Sequence, residues 1–272
     1  MINLCLYGGL GNQIFQLAAS LKYAKTKNIK TINIDTSIIN RFDTKFGFQL
    51  DELFSFKDSI IEFNFNNHFY SNLRLPKISF IRYFSNEILI SDNNFQAALN
   101  SHKNNHFYQF DGYFQECLTQ SDLDSMIELL RPLLRLNLNN SINKNKNKDN
   151  LVIHIRGGDF VKLNRNPELD ENFYLNKIKN FDKSKKIKVV TDDIKYSKKI
   201  LSNIDRDYEI VSSTMLNDFI TIASHSNRIL SPSTFSFWAS ALGYNFIESR
   251  VYAWQYWYDH VPREIYLPNE KD

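Results

Sequence analysis

Short apolar runs alternate with amphipathic segments along the chain, and one of each opens it. Ile2–Tyr7 is an apolar run that ends at glycines, which is typical of a buried strand. Apolar residues then recur with helical spacing from Ile14 to Ala24, and a second apolar run follows at Thr31–Asp35. The pattern predicts a strand, a glycine loop, a helix and a strand, which is how a Rossmann-like domain begins.

The middle of the chain is patterned less clearly. Residues 36–105 are rich in Phe and Asn, and they indicate only short elements. Helical spacing returns over residues 123–134, where Ser121 and Asp122 are the expected caps. Residues 137–150 are an Asn/Lys tract with almost no apolar side chains, so we expect a solvated linker or loop there.

Strands and helices alternate again beyond the tract, which implies a parallel sheet covered on both faces. We therefore expect an α/β protein with an N-terminal Rossmann-like domain over residues 1–140 and a C-terminal domain over residues 151–272, joined by a linker or loop at 141–150. The predicted strands of the second domain are Leu151–Ile155, Ile187–Thr191, Tyr208–Val211 and Arg228–Leu230, and its predicted helices lie near residues 173–180, 194–203, 216–224 and 234–242.

Composition narrows the class of protein. The 272 residues suit two domains, and 43% hydrophobic with 23% charged residues excludes a disordered or fibrous chain. A net charge of +3 is too balanced for a nucleic-acid binder. Cys5 and Cys117 cannot make a disulfide framework, so each is expected to be a small buried residue in a reducing compartment. No signal peptide or long apolar run is present, which predicts a cytoplasmic protein and leaves peripheral contact with the inner face of a membrane open.

Four segments stand where predicted strands end, and ligands of parallel α/β sheets bind at that edge. If two such domains face each other, these segments line a cleft between them. The segments are Gly8–Gln13, His154–Phe160, Thr191–Asp193 and Ser231–Ser236.

The glycine segment would place bare amides at a helix N-terminus, close enough to approach a phosphate or a sugar. It fits neither the dinucleotide fingerprint nor the P-loop pattern, which disfavours NAD or ATP as its ligand. The alternative is a glycine turn that only joins the strand to the helix.

His154 and Arg156 would share one face of a strand. A buried arginine needs an anionic partner, and its forked guanidinium suits a diphosphate. The alternatives are an internal ion pair of Arg156 with Asp159 or Asp192, and a satisfied core histidine at position 154.

Ser233 is the expected N-cap of an apolar helix. The amides of Thr234, Phe235 and Ser236 would then form an anion site, or the segment is only a capped core helix. No metal site is expected, because the histidines have no Cys, Asp or Glu at ligand spacing. The sequence also lacks the serine elbow of α/β-hydrolases.

Together the segments resemble glycosyltransferase family 11, the bacterial α-1,2-fucosyltransferases. The family's G-G-L-G-N-Q-hydrophobic-F-Q block is matched without a break over Gly8–Gln16. Its H-x-R-R-G-D-Y block is matched by His154–Phe160, its S-N-S-[ST]-F-S-W-W block by Ser231–Trp238, and its G-Y-[FW]-Q segment by Gly112–Gln115.

Three positions depart from the family pattern. Gly157 stands for the second arginine, Pro232 for the asparagine and Phe237 for the first tryptophan. Arg156 is therefore the arginine on which phosphate binding would depend, and either of the first two changes could accompany a different donor sugar.

The resemblance implies a GT-B architecture, in which two Rossmann-like domains face a central cleft. It also implies an inverting, metal-independent transfer of L-fucose from GDP-β-L-fucose to a galactoside, with the 2-OH of β-galactose as the expected position. The acceptor would be a galactose-terminated oligosaccharide or lipid-linked glycan in bacterial surface glycan synthesis, such as that of O-antigen. The donor would lie mainly in the C-terminal domain and the acceptor mainly in the N-terminal one.

The expected roles follow from where charge grows on the departing diphosphate. Arg156 and the amides after Ser233 would stabilise it, His154 would orient the phosphate or ribose, and Asp192 is a candidate nucleotide contact. Residues Gly11, Asn12 and Gln13 would close over the donor from the other domain.

The general base for the acceptor hydroxyl is expected to be Asp159, with Glu168 and Asp170 as alternatives. A transferase for another GDP-linked deoxy sugar, an NAD-type oxidoreductase and a non-catalytic glycan-binding protein are the rival functions. The last would use an aromatic platform whose alternative role is packing at the C-terminus, formed by Trp254, Tyr256, Trp257 and Tyr258.

Overall fold

The computed structural model describes residues 1–37, 39, 47–57, 59–66, 87–101, 107–163, 171–243, 249–258 and 261–271. The chain divides into two compact units, Met1–Arg135 and Leu136–Asp272. Each unit contains a five-stranded sheet in which all neighbouring strands are parallel. The α/β fold with parallel sheets is confirmed.

The first unit has the strand order β3-β2-β1-β5-β4. Its strands are β1 (Ile2–Cys5), β2 (Thr31–Asp35), β3 (Glu62–Asn66), β4 (Glu87–Ile90) and β5 (Phe107–Phe110). Its helices are α1 (Leu10–Thr26), α2 (Leu50–Leu53), α3 (Phe95–Asn100) and α4 (Gln120–Leu130), followed by a 3₁₀ turn at Arg131–Leu133.

The opening strand, glycine loop, helix and strand are confirmed as predicted. All four residues of β1 are buried, because the strand has a neighbour on each side and α1 packs on it. Gly8 turns the chain with φ +79°, a conformation that side chains other than glycine rarely adopt. Gly9 is the N-cap of α1 and provides no side-chain cap. The helix therefore begins at Leu10, directly after the glycine turn that follows β1.

The second unit has the strand order β10-β9-β6-β7-β8. Its strands are β6 (Asn147–Ile155), β7 (Ile187–Thr191), β8 (Tyr208–Ile210), β9 (His225–Leu230) and β10 (Arg250–Ala253). Its helices are α5 (Leu136–Lys144), α6 (Gly158–Lys162), α7 (Glu171–Ile178), α8 (Ile194–Ile200), α9 (Met215–Ser224) and α10 (Thr234–Leu242).

The strand order of the second unit reverses between β6 and β9. The chain leaves β6 towards β7 on one side and leaves β9 towards β10 on the other. Connections that depart in opposite directions leave a crevice at the carboxyl ends of the two strands, where α/β proteins bind ligands.

Arg228 of β9 is fully buried and joins two helices. Its guanidinium donates to the carbonyls of Ile222 and Ala223 at the end of α9, at 2.9 and 3.0 Å, and to Ser240 Oγ of α10 at 3.1 Å. Burial lowers the pKa of Arg228 to about 9. A cation at the C-terminus of α9 binds backbone carbonyls that have no hydrogen-bond donor within the helix.

The prediction of a linker or loop at 141–150 was wrong, and the boundary between the two units lies a few residues before the predicted one. The tract forms α5 and the start of β6, and the division lies earlier, between Arg135 and Leu136. Leu138 and Ile142 are buried, and their spacing of four places both on one face of α5. These two residues form the face of α5 that packs on the unit, while most of its other residues are exposed.

The cap of α4 also differs from the prediction. Thr119 is the N-cap and forms a reciprocal capping box with Asp122, whereas Ser121 lies within the first turn. Elements that the pattern did not predict include β3, β4, α2, α3 and β10. Among the described residues, no helix combines the length and the apolar character needed to cross a bilayer.

Candidate active site

The ends of β6 and β9 bring together residues that are about 75 positions apart in sequence. The Arg156 amide donates to Ser231 Oγ at 2.9 Å, and the same hydroxyl lies 2.9 Å from His154 Nδ1. The Ser231 amide donates to the His154 carbonyl at 3.1 Å. Ser231 thus joins the two segments at the crevice, a role that the sequence analysis missed although the residue directly follows a buried strand.

The Arg156 guanidinium lies between two carboxylates. Nη2 is 2.7 Å from Asp159 Oδ1 and Nη1 is 2.5 Å from Asp192 Oδ2. The three side chains are between 24% and 39% exposed, so a ligand can reach them from solvent. The internal ion pair considered above is therefore present, with both carboxylates as partners. A guanidinium has five N–H donors, so a diphosphate would use those that remain or displace a carboxylate.

The glycine turn after β6 is held by the acidic pair that follows β7. Asp192 Oδ1 accepts from the Gly157 amide at 2.7 Å, and Asp193 caps α8 by accepting from the Tyr196 amide at 2.9 Å. A Cβ atom on Gly157 would lie 2.5 Å from Asp193 Cβ, which real side chains do not tolerate. The conformation of this turn therefore suits glycine at the position where the family pattern has its second arginine.

His154 is buried and held by Ser231. Burial, and to a lesser extent the neighbouring Arg156 charge, lowers the pKa of His154 to about 3. The imidazole is therefore neutral at physiological pH, and it can orient a ligand through a hydrogen bond but adds no positive charge. The interpretation as a satisfied core histidine is compatible with this geometry.

The start of α10 lies beside this cluster, at the end of β9. Ser233 occupies the predicted N-cap position, yet its side chain makes no cap hydrogen bond. Ser233 is thus the N-cap residue, as predicted, but its hydroxyl does not cap the helix. The first-turn amides of Thr234, Phe235 and Ser236 are the backbone donors that an anion at this helix start would use.

The glycine segment of the first unit is fastened by two buried glutamines. Gln13 Nε2 donates to the carbonyls of Gly8 and Gly47 at 3.0 and 2.9 Å, and its Oε1 accepts from the Gln49 amide at 3.1 Å. Gln16 exchanges hydrogen bonds with the Tyr7 backbone in the same way. Because both ends of the Gln13 amide are engaged, we expect it to position the loop. Direct donor contacts by Gln13, or by Gly11 and Asn12 beside it, stay predictions.

Two further sets of predicted residues are the alternative general bases and the C-terminal aromatic residues. Glu168 and Asp170 lie outside the described residues. Trp257 is buried with its ring 5.2 Å from that of Phe237, and Trp254 lies 5.1 Å from Phe173, which favours the packing role of the C-terminal aromatics. Within the described residues, no three His, Cys, Asp or Glu side chains form a metal-binding group, and metal independence stays a prediction.

A cleft of about 440 Å³ lies elsewhere on the second unit. It is at the amino ends of β9 and β10, the edge that α/β sheets do not normally use for ligands. Two of its basic residues donate to backbone carbonyls, Lys185 to Lys148 and Arg250 to Asn180. The crevice at the carboxyl ends is therefore the better candidate site.

The two α/β units, each built on a parallel sheet, have a fold of the GT-B-like type. The crystal structure of fucosyltransferase NodZ from Bradyrhizobium is similar, with a TM-score of 0.56 at 14% identity over 89% of this chain and 93% of that one. The structure of NodZ α-1,6-fucosyltransferase soaked with GDP-fucose has a TM-score of 0.55 at 14% identity, over 89% and 92%.

Sequence comparison gives the family. Glycosyl transferase family 11 matches residues 1–260, and the chain belongs to that family. The O-antigen biosynthesis glycosyltransferase WbnK of Escherichia coli is 26% identical, over 98% of this chain and 95% of the relative. The family resemblance drawn from the four sequence blocks is thereby confirmed.

Proposed function

We propose that the protein transfers L-fucose from GDP-β-L-fucose to a hydroxyl of a galactoside, with inversion to an α linkage and without a metal ion. The observation that carries this proposal is the convergence of Arg156, the His154–Ser231 pair and the N-terminus of α10 at the carboxyl ends of β6 and β9. Membership of glycosyltransferase family 11 supports a transferase over the oxidoreductase and glycan-binding alternatives.

In the proposed reaction, the acceptor oxygen attacks C1 of fucose on the face opposite the diphosphate. The bond from C1 to the β-phosphate oxygen breaks, and GDP leaves with the bonding electrons. Arg156 and the first-turn amides of α10 neutralise the charge that grows on that oxygen, which lowers the barrier because this interaction strengthens in the transition state.

The acceptor proton passes to a carboxylate, for which Asp159 is the first candidate. Asp159 is paired with Arg156. A diphosphate that takes over the guanidinium would release Asp159 at the moment when a base is needed. Glu168 and Asp170 stay the alternatives, and Asp192 stays a candidate nucleotide contact.

The finer assignments rest on the family resemblance and on the names of similar proteins. GDP-fucose is the donor with which one structural neighbour was soaked, and that neighbour is named an α-1,6-fucosyltransferase. Transfer to the 2-OH of β-galactose, a lipid-linked or galactose-terminated acceptor and action at the cytoplasmic membrane face belong to the proposal. A related GDP-linked deoxy sugar is the second candidate donor, favoured by Gly157 and Pro232.

One experiment tests the donor, acceptor and linkage together. The purified protein is incubated with GDP-fucose, other GDP-sugars or NAD, in the presence of lactose or N-acetyllactosamine, and GDP release is followed. We expect release with GDP-fucose only when a galactoside is present, and an α-1,2 product by NMR. Release with another GDP-sugar alone would assign the second donor, and no release with any donor would refute the transferase proposal.

A further inference from the structure

A locked turn follows β5 at the carboxyl edge of the first sheet. Asp92 accepts from the Tyr113 amide at 3.0 Å and from the Phe114 amide at 2.5 Å. Gly112 leaves no room for a Cβ atom against Asp92. Phe114 has φ +60°, which is a genuine outlier for a bulky residue. Backbone strain of this kind persists only where the surroundings enforce it.

The turn buries one aromatic ring and displays another. The Phe114 ring is fully buried, 5.4 Å from Phe95 and 5.5 Å from Phe110, so it anchors the turn in the core. Tyr113 is instead 43% exposed, although it lies between two buried residues. Its ring packs edge-on against Tyr7, with 4.8 Å between ring centroids. Tyr7 follows β1 and precedes the glycine loop.

The charges around this turn do not suit a nucleotide. Asp92 lies beneath it, and Asp92 and Glu116 are close enough to interact electrostatically. Neither side chain offers a positive charge to a diphosphate, whereas a neutral sugar needs none.

We propose that Tyr113, braced by Tyr7, is the platform on which a pyranose ring of the acceptor glycan packs. A pyranose presents one face of C–H groups to an aromatic ring and directs its hydroxyls sideways towards polar groups. The position fits, because the platform lies at the carboxyl end of β1 and β5, the edge where α/β sheets bind ligands. This inference rests on the proposed function for its occupant, a galactoside.

The platform is tested with Tyr113→Ala and Tyr113→Phe. Phe107→Ala is the matched control, because Phe107 is 41% exposed at the opposite end of the same strand. We expect Tyr113→Ala to raise KM for lactose about tenfold or more, while KM for GDP-fucose stays unchanged. Tyr113→Phe should stay within about twofold of the wild type, since it keeps the ring. An unchanged lactose KM in Tyr113→Ala would overturn the platform.

Direct binding separates this inference from the proposed function. Lactose and N-acetyllactosamine are titrated against the wild type and Tyr113→Ala by saturation-transfer NMR without a donor. Binding that Tyr113→Ala abolishes supports the platform even if GDP-fucose is never turned over, an outcome that would refute only the transferase. Fucose transfer that Tyr113→Ala leaves intact refutes only the platform. If the wild type binds neither lactose nor N-acetyllactosamine, the platform proposal is refuted as well.

Discussion

Replacing Arg156 by alanine removes the group expected to hold the departing diphosphate. One preorganised donor of this kind contributes about 10² to 10³ in kcat, or roughly 2.7 to 4 kcal/mol of transition-state stabilisation. We expect Arg156→Ala to lower kcat by that factor. Arg156→Lys should fall in between, because it keeps the charge but loses the fork that two phosphate oxygens need.

The structure indicates that folding will survive the substitution. The guanidinium is 24% exposed, and Asp159 and Asp192 are 39% and 34% exposed, so water can solvate both carboxylates once the arginine is gone. Partly exposed pairs contribute only about 0 to 1 kcal/mol each. We therefore expect a fall in Tm of a few degrees at most, about 2 to 4 °C for each kcal/mol lost.

Turnover is measured as GDP release with GDP-fucose and lactose, and folding by thermal denaturation of the same samples. Arg250→Ala is the control, because Arg250 lies at the amino end of β10 and donates to the Asn180 carbonyl there. Near wild-type kcat in Arg156→Ala would refute the reasoning. An equal loss of kcat in Arg250→Ala would do so too, since the effect would then not depend on the crevice.

Three further predictions concern the scaffold. Gly157→Arg introduces the residue of the family pattern, and its Cβ atom would clash with Asp193. We expect the substitution to raise the KM for GDP-fucose and to lower Tm. Unchanged kinetics and an unchanged Tm would contradict the clash. His154 and His225 have pKa values of about 3 and about 4, below the usual 6.5, so the unfolded state takes up protons first as the pH falls. Each should lower the free energy of unfolding by roughly 2 kcal/mol between pH 7.5 and 5. Urea titrations should show a smaller loss in His225→Gln than in the wild type, and an equal loss would count against burial as the cause. Arg228→Leu should lower the free energy of unfolding by about 3 to 5 kcal/mol, because it leaves the buried carbonyls of Ile222 and Ala223 without the guanidinium that donates to them. A loss below about 1 kcal/mol in urea titrations would show that Arg228 does not stabilise these carbonyls.

Periodicity predicted the elements whose burial is uniform. All residues of β1 are buried and Thr31–Asp35 is nearly so, and both strands were found from their apolar residues. Strand β9 was predicted three residues short, because His225, Ser226 and Asn227 are polar yet buried. Their partners come from other elements, such as the Lys148 carbonyl that accepts from Asn227 Nδ2. Such tertiary hydrogen bonds leave no trace in a hydropathy pattern.

The candidate site was predicted because strand ends are easy to locate. Once β6 and β9 are neighbours, Arg156 and Ser231 necessarily lie side by side. The sequence could not show which motif residues face a ligand and which support the loop. Gln13 belongs to a strongly patterned block, yet its side chain is fully buried and bonded to backbone groups at Gly8 and Gly47. That distinction depends on the position of residue 47, which no local pattern gives.

The doubly paired Arg156 has a consequence for selectivity in a crowded cell. Two carboxylates flank the guanidinium, so the positive charge that a small anion would meet there is largely offset. If the crevice binds a nucleotide sugar, as proposed, the base, ribose and hexose would have to supply much of the binding free energy through contacts of their own. We therefore expect inorganic phosphate to compete poorly with the whole ligand.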